Sequence, residues 1–331
     1  MHNPSFAYRL HVARLFCHYS LDQLARATNL KITRQSLYRY ERGDMLPRPS
    51  TLYALARALG VSEDYFKGTS LNIDLPMLRT APGYHFSPRD EEVLKTQLSY
   101  WSERYIRMEK EAFNTPMFQN PLASVKITSY GEATTASALL RKMWNCGEGP
   151  ITSLLRLFER KGIKVLDLAL PEAIFGLSTW ADDHYPLMVL DMRPKKTTTE
   201  RLRFTAAHEL AHLLLKFSND DTTFQEKCCN KFASFFLFPR DTFIEEMGKS
   251  HRTTLYLDEM IDLKSVYGIS VAAQVHEAYD IGMISRQHYD WWYNEMIHKN
   301  SKEEGWGSYP YSETIGREKR IASILNNNIS I

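Results

Sequence analysis

The chain has 331 residues, with 41 Lys and Arg against 39 Asp and Glu, and 44% of its residues are apolar. That length suits two or three domains, and the composition is that of a globular protein with a real core rather than a disordered or repetitive chain. The densest apolar run after the first segment, Phe232 to Phe238, is far shorter than the ~20 residues that span a bilayer, and MHNPSFAYRL contains no basic stretch followed by a long apolar run. A soluble, cytoplasmic protein with no membrane partner is expected. The four cysteines, Cys17, Cys146, Cys228 and Cys229, form no C-x-x-C pair, which fits reduced thiols acting as small buried apolar groups.

The net charge of +2 is unevenly spread, because residues 1–68 hold ten basic and five acidic side chains and the remainder is mildly acidic. A basic head on an acidic body suits nucleic-acid binding. Within the head, Leu10, Ala13, Leu24, Leu37, Tyr40, Leu52, Leu55 and Leu59 recur at helical spacing. Ser20 and Ser50 sit where N-caps belong, Gly43 and Gly60 where helices stop, and Pro47 and Pro49 flank a loop. The stretch Thr33-Arg34-Gln35-Ser36-Leu37-Tyr38-Arg39-Tyr40-Glu41-Arg42-Gly43 has the form of a groove-reading helix. Thr33 would cap it, Leu37 and Tyr40 would face the core, and Arg34, Gln35, Ser36 and Arg39 would point outward. Arg and Gln can each make paired hydrogen bonds to purine edges, so double-stranded DNA is the expected partner. A helical bundle that binds a protein instead is the alternative.

These residues, with Leu24-Ala25, Pro47 and Leu55-Ala56-Arg57-Ala58-Leu59-Gly60-Val61, resemble the XRE or Cro/cI-like helix-turn-helix family. Two features depart from its pattern. The turn between the second and third helices is about two residues longer, and Leu21 replaces the glutamine that often opens the second helix.

Residues 69 to about 85, with Pro76, Pro82 and Gly83, read as a linker, and Pro88 to about Phe113 as one long amphipathic helix. That helix would bridge domains or mediate dimerisation, which makes a homodimer a candidate assembly. From about Thr135 the pattern turns to α+β. Ile151–Lys161 reads as a helix, and Ile163–Leu166, Gly176–Trp180 and Leu187–Leu190 read as short strands. Two helices follow, Glu200 to about Lys216 and Phe224 to Phe238, and the rest from Asp241 is mainly helical. The last fifteen or so residues read as a frayed tail.

The segment Arg203-Phe204-Thr205-Ala206-Ala207-His208-Glu209-Leu210-Ala211-His212 carries H-E-x-x-H without a Gly or Pro to break a helix. Residues four apart share a helix face, so His208 and His212 can hold one zinc ion (Zn2+) while Glu209 stands close enough to act on a water there. A catalytic zinc needs a third protein ligand. Glu226 on the next helix is the first candidate, with Asn230 one turn on to hold a ligand in place. Asp220, Asp221 and His251 are rivals, and Cys228 or Cys229 would be further ones. His251 and Tyr267 are candidates for stabilising an oxyanion by residue type alone.

H-E-L-x-H followed by E-x-x-x-N-x-F-A and an apolar run ending at Pro239 resembles the ImmA/IrrE family of metallopeptidases. Arg203-Phe204-Thr205, Gly162-Ile163, Gly176-Leu177-Ser178, Pro186 and Leu263-Lys264 with Tyr267-Gly268-Ile269-Ser270 fit as well, although Ala211 stands where glycine is commoner. The resemblance covers about 135 to 295. It implies a gluzincin-like enzyme that cleaves a specific repressor protein in phage, mobile-element or stress control.

The expected fold class is α+β and mostly α: an N-terminal five-helix bundle, a zincin-like metallopeptidase core with a small β-sheet, and a helical C-terminal region. The expected domains are 1–68 for DNA binding, 69–134 for linker and bridging helix, 135–245 for the metallopeptidase and 246–331 for the helical region and tail. Two other functions stay open: a transcriptional regulator whose zinc site is structural or vestigial, and an antitoxin-like module that docks a partner.

Overall fold

Helix-forming segments punctuated by caps dominate the computed structural model, which describes residues 4–30, 32–61, 63–67, 71–73, 88–113, 118–249 and 251–328. Most of the linker expected at 69–85 lies outside the described residues. The chain divides into two compact units. One comprises residues 1–116, 180–184 and 318–331, and the other comprises 117–179 and 185–317.

The first unit opens with α1 (Pro4–Phe16), α2 (Leu21–Ala27), α3 (Arg34–Glu41) and α4 (Pro49–Leu59). The fifth helical element of the head is a short 3-10 stretch, Glu63–Lys67. Ser20 caps α2 through a capping box with Gln23, which satisfies amides that the first turn would otherwise expose. Ser50 does not cap α4: the cap position is Arg48, and Pro49, whose missing N–H costs nothing at a helix start, opens the helix. Phe6, Leu10, Leu24, Leu37, Leu55, Leu59 and Phe66 form the core, as their spacing requires.

The long helix α5 (Pro88–Phe113) has the expected ends. Its Tyr100 ring stacks on Phe16 at 4.2 Å, and its Glu103 pairs with Arg9 at 2.8 Å. Leu94, Leu98, Tyr105 and Ile106 are buried within the single chain. The apolar face that pointed to dimerisation is therefore satisfied without a second copy.

The second unit begins with β1 (Lys126–Ile127), α6 (Tyr130–Trp144) and α7 (Leu154–Arg160). Then come β2 (Lys164–Asp167), β3 (Gly176–Ala181) and β4 (Tyr185–Leu190), which form a three-stranded sheet in the order β2-β4-β3. β2 and β4 run parallel, with Lys164 opposite Leu187 and Asp167 opposite Leu190. α8 (Thr199–Leu214), β5 (Lys216–Phe217) and α9 (Thr222–Leu237) follow, and β5 pairs in parallel with β1.

The unit continues through α10 (Arg240–Glu246), α11 (Leu257–Tyr267), α12 (Val271–Asp280) and α13 (Arg286–Trp291). Phe238, Phe243, Met260, Val271, Val275 and Trp292 make their shared core. The architecture is α+β and mostly α, with a helical head.

The C-terminal tail is not frayed through its described length: Arg317–Asn328 form helix α14. Ile321 on it is fully buried, and Glu318 pairs with Arg104 of α5 at 3.7 Å. A polar run of asparagines hid a helix whose few apolar residues fall on one side.

A buried ion pair ties distant segments of the second unit together. Arg203 on α8 is wholly buried and pairs with the buried Glu313 carboxylate. The same carboxylate accepts the backbone N–H groups of Leu154 and Leu155 at the start of α7. Arg203 also donates to the carbonyls of Ile151 and Tyr267. Gly268, left-handed at φ 64° where α11 ends, sits against this pair, and a Cβ there would lie 2.5 Å from Arg203 Nε.

Candidate metal centre

Helix α8 is started by Thr198, whose side chain accepts the Arg201 amide, and it buries Leu202, Ala206, Leu210 and Leu213 on one side. His208 and His212, four residues apart, project together from another side. Helix α9 is started by Asp221, whose carboxylate accepts the amides of Thr223 and Phe224. The stacked rings of Phe232 and Phe236, 5.6 Å apart, anchor its core face and leave Glu226 and Asn230 toward α8.

Three donor side chains converge. His208 Nε2 and His212 Nε2 are 3.1 Å apart, and the two Glu226 oxygens each lie 3.3 Å from one of them. Two ligands about 2.0–2.1 Å from a tetrahedral zinc are about 3.3 Å from each other, so the donor set fits that ion by size and by type. These three residues are the group able to hold a metal among the described residues. All three side chains keep some exposure, at 15%, 29% and 32% for His208, His212 and Glu226, which leaves a solvent-facing side to the centre.

The electrostatics match a site prepared for a cation. Burial alone would discourage a charge on His208, but the neighbouring Glu226 and Glu209 carboxylates outweigh it and raise its pKa. Burial likewise opposes the charge on Glu226, and the hydrogen bonds from His208 and His212 overcome this and hold its carboxyl well below the usual range. His208 and Glu226 thus each favour the other's charged form at the place where a metal ion would sit.

The far nitrogens of both imidazoles are engaged by α9. Asn230 Oδ1 lies 2.9 Å from His208 Nδ1, the position expected of it, and Cys229 Sγ lies 3.6 Å from His212 Nδ1. Glu209 is held by a residue of the Gly176-Leu177-Ser178 pattern: Ser178 Oγ donates to Glu209 Oε2 at 2.6 Å. Gly176 makes that contact possible. A Cβ at Gly176 would lie 2.7 Å from Thr205 Cγ2, so only glycine lets β3 approach α8 this closely. Two residues along a strand and four along a helix keep the same faces, which brings Ser178 to Glu209.

The rival residues lie elsewhere. The Asp221 carboxylate is spent on capping α9, and Asp220 and His251 are exposed and outside the donor cluster. Cys228 is fully buried and its thiol is pushed up to about 11, chiefly by burial. The Tyr267 hydroxyl donates to Glu246 at 3.2 Å, and its ring stacks on Phe238 at 3.6 Å.

In the head, Thr33 starts α3 as expected, with its side chain accepting the Ser36 amide at 3.1 Å. Leu37 and Tyr40 are buried, Arg34, Gln35 and Arg39 are exposed, and Ser36 is half-buried. Arg34 stands 3.8 Å from Asp22 at the surface. No helix of the described residues is long and apolar enough to cross a membrane.

No curated protein matches the chain. Residues 13–66 match the helix-turn-helix family model, and residues 158–279 match the model of the IrrE N-terminal-like domain, a peptidase family. The second match takes in β2 to β4, α8, α9 and every residue of the donor cluster, and the first takes in all of α3. The chain is therefore a fusion of an XRE-type helix-turn-helix with an ImmA/IrrE-like metallopeptidase-family domain.

Proposed function

We propose that the protein is a DNA-binding transcriptional regulator with zinc-dependent endopeptidase activity, and that its substrate is a repressor protein. Residues 1–68 would be the DNA-binding domain and 135–245 the peptidase domain. The observation that carries this reading is the convergence of His208, His212 and Glu226 beside a Glu209 that Ser178 holds in place. A purely structural metal site has no use for Glu209.

When bound, zinc supplies a Lewis acid that polarises the scissile carbonyl and lowers the pKa of water. His208, His212 and Glu226 are the residues that would hold it. Glu209 is the general base. The Ser178 hydroxyl occupies its Oε2, which fixes the carboxylate plane, and Oε1 takes the proton of the attacking water. Glu209 then returns that proton to the leaving amine as the C–N bond breaks. Arg34, Gln35 and Arg39 would read base edges, with Thr33 and Ser36 setting the start of the reading helix.

Glu209→Gln tests the proteolytic half. The change removes the proton acceptor but keeps its size, so cleavage should fall by about 10²–10⁴-fold while zinc content and operator binding persist. In cells the variant should bind its operator yet fail to derepress, with an uncut repressor accumulating. Unchanged regulation in the variant would show that catalysis is dispensable and that the chain works as a regulator or docking module.

A further inference from the structure

Glu226, Cys229 and Asn230 are spaced i, i+3 and i+4 on α9, so all three share its face toward α8. Glu226 meets the Nε2 atoms of both histidines, and the two residues one turn later meet their Nδ1 atoms. An amide oxygen stands behind His208 and a thiol sulfur behind His212.

We propose that Cys229 is a positioning residue for His212: its sulfur accepts the Nδ1 proton and fixes the tautomer that turns Nε2 toward the metal. The proposal rests on the metal-centre reading above. The direction of the bond follows from the ring. His212 Nε2 faces Glu226 and His208 Nε2, where a ligand needs a lone pair, so in the metal-holding form the ring proton sits on Nδ1 and the group behind it must accept. A distance of 3.6 Å suits N–H···S, because sulfur is larger than oxygen. Cys229 is fully buried, so its sulfur is not drawn away from that ring by solvent. Sulfur is a weak acceptor. The hold on His212 is therefore softer than the amide's hold on His208, and the two ligands differ in stiffness although they belong to one motif.

A buried cysteine can also be simple core filling, and the neighbouring residue separates the two roles. Cys228 is equally buried, and no bond joins it to an imidazole among the described residues. The experiment is a Zn2+ titration against a competing chelator, using the full chain as wild type, Cys229→Ala, Cys229→Ser and Cys228→Ala. Melting of the metal-free proteins and the visible spectra of their Co2+ forms are recorded alongside.

Cys229→Ala should weaken zinc binding by about tenfold and shift the Co2+ bands, as losses behind a ligating histidine do. Cys229→Ser should recover part of the loss, because its hydroxyl can still accept. Cys228→Ala should lower the metal-free melting temperature as much as Cys229→Ala does while leaving zinc affinity unchanged. Equal affinity in Cys229→Ala and wild type, or an equal loss in Cys228→Ala, would overturn the proposal. A wild-type chain that takes no zinc overturns the metal-centre reading itself and this proposal with it, which is a distinguishable result.

Discussion

His11 in the head and His208 beside the sheet both touch carboxylates, yet their surroundings ask for opposite things. His11 Nδ1 lies 2.9 Å from Glu41 and its Nε2 2.7 Å from Glu92, so both nitrogens face an anion. These carboxylates favour the doubly protonated ring, against Arg14 Nη2 at 3.2 Å from Nδ1, and the pairing joins the end of α3 to α5. His208 has a carboxylate before Nε2 but a neutral amide oxygen behind Nδ1, and a second imidazole shares the same carboxylate. Three donor side chains face one point there, an arrangement that suits a metal cation. What the two nitrogens face, more than how deeply the ring is buried, separates a histidine set between two anions from one set in a cluster of donors.

The sharpest way to break this contrast is to delete one histidine of each kind. His212→Ala should reduce bound zinc from about one per chain to almost none, since two protein ligands do not make a catalytic site. His11→Ala should leave zinc content alone. Metal analysis of both purified variants decides the point, and equal zinc in His212→Ala and wild type would refute the ligand set.

A second, smaller effect separates the two units by what they bind. Arg34→Ala and Gln35→Ala should each cost about 1–3 kcal/mol on the preferred duplex and relax its sequence preference, whereas Lys67→Ala should weaken binding evenly across sequences. Removing zinc with a chelator should leave the DNA affinity of the full chain unchanged. Band shifts at several salt concentrations would show this, because the Arg and Lys contacts make binding strongly salt-dependent.

The smallest effect is a pH dependence carried by His11. The hydrogen bond to Glu41 raises its pKa above the ordinary 6.5, with Glu92 adding to this while burial and Arg14 pull the other way. A folded-state pKa above the unfolded one gives stability that is fully present below about pH 6.5 and lost as pH rises through the folded value. Glu92 is more than half exposed, so the amount should stay under about 1 kcal/mol. Chemical denaturation of wild type and His11→Gln at several pH values should show a slope in the wild type that the variant lacks. Identical slopes would mean that His11 is not charged in this setting.

The ease with which each feature is read from sequence follows from how its parts are spaced. His208, Glu209 and His212 lie on one helix and Glu226 and Asn230 on the next, so helical periodicity groups each set, and the resemblance to the ImmA/IrrE pattern puts Glu226 first among the candidates for the third ligand. The caps at Ser20 and Thr33 are likewise local. Ser178 lies 31 positions from Glu209, and Cys229 lies 17 from His212. Only the close packing of β3 and α9 on α8 brings these pairs together, and periodicity does not encode that. Cys229, a rival ligand by residue type, lies against His212 Nδ1, on the side of the ring away from Glu226. The segment now seen as α14 looked like a tail because Asn326, Asn327 and Asn328 drown the signal of Ile321, whose burial is set by the unit it packs in.

The pair formed by Arg203 and Glu313 gives the second unit an order of assembly. Glu313 comes 110 positions after Arg203, so a growing chain contains the whole H-E-x-x-H segment long before the carboxylate that neutralises Arg203 has been made. Until then the arginine five residues ahead of His208 would have to be buried with its charge uncompensated, at a cost of about 3–5 kcal/mol, and the first turn of α7 would lack its acceptor. Units of this size complete themselves as a whole rather than residue by residue. Arg203 on α8 therefore has its neutralising carboxylate only in a chain that reaches residue 313. A chain interrupted anywhere between α9 and that point would carry every residue of the donor cluster without the ion pair that ties α8 to α7.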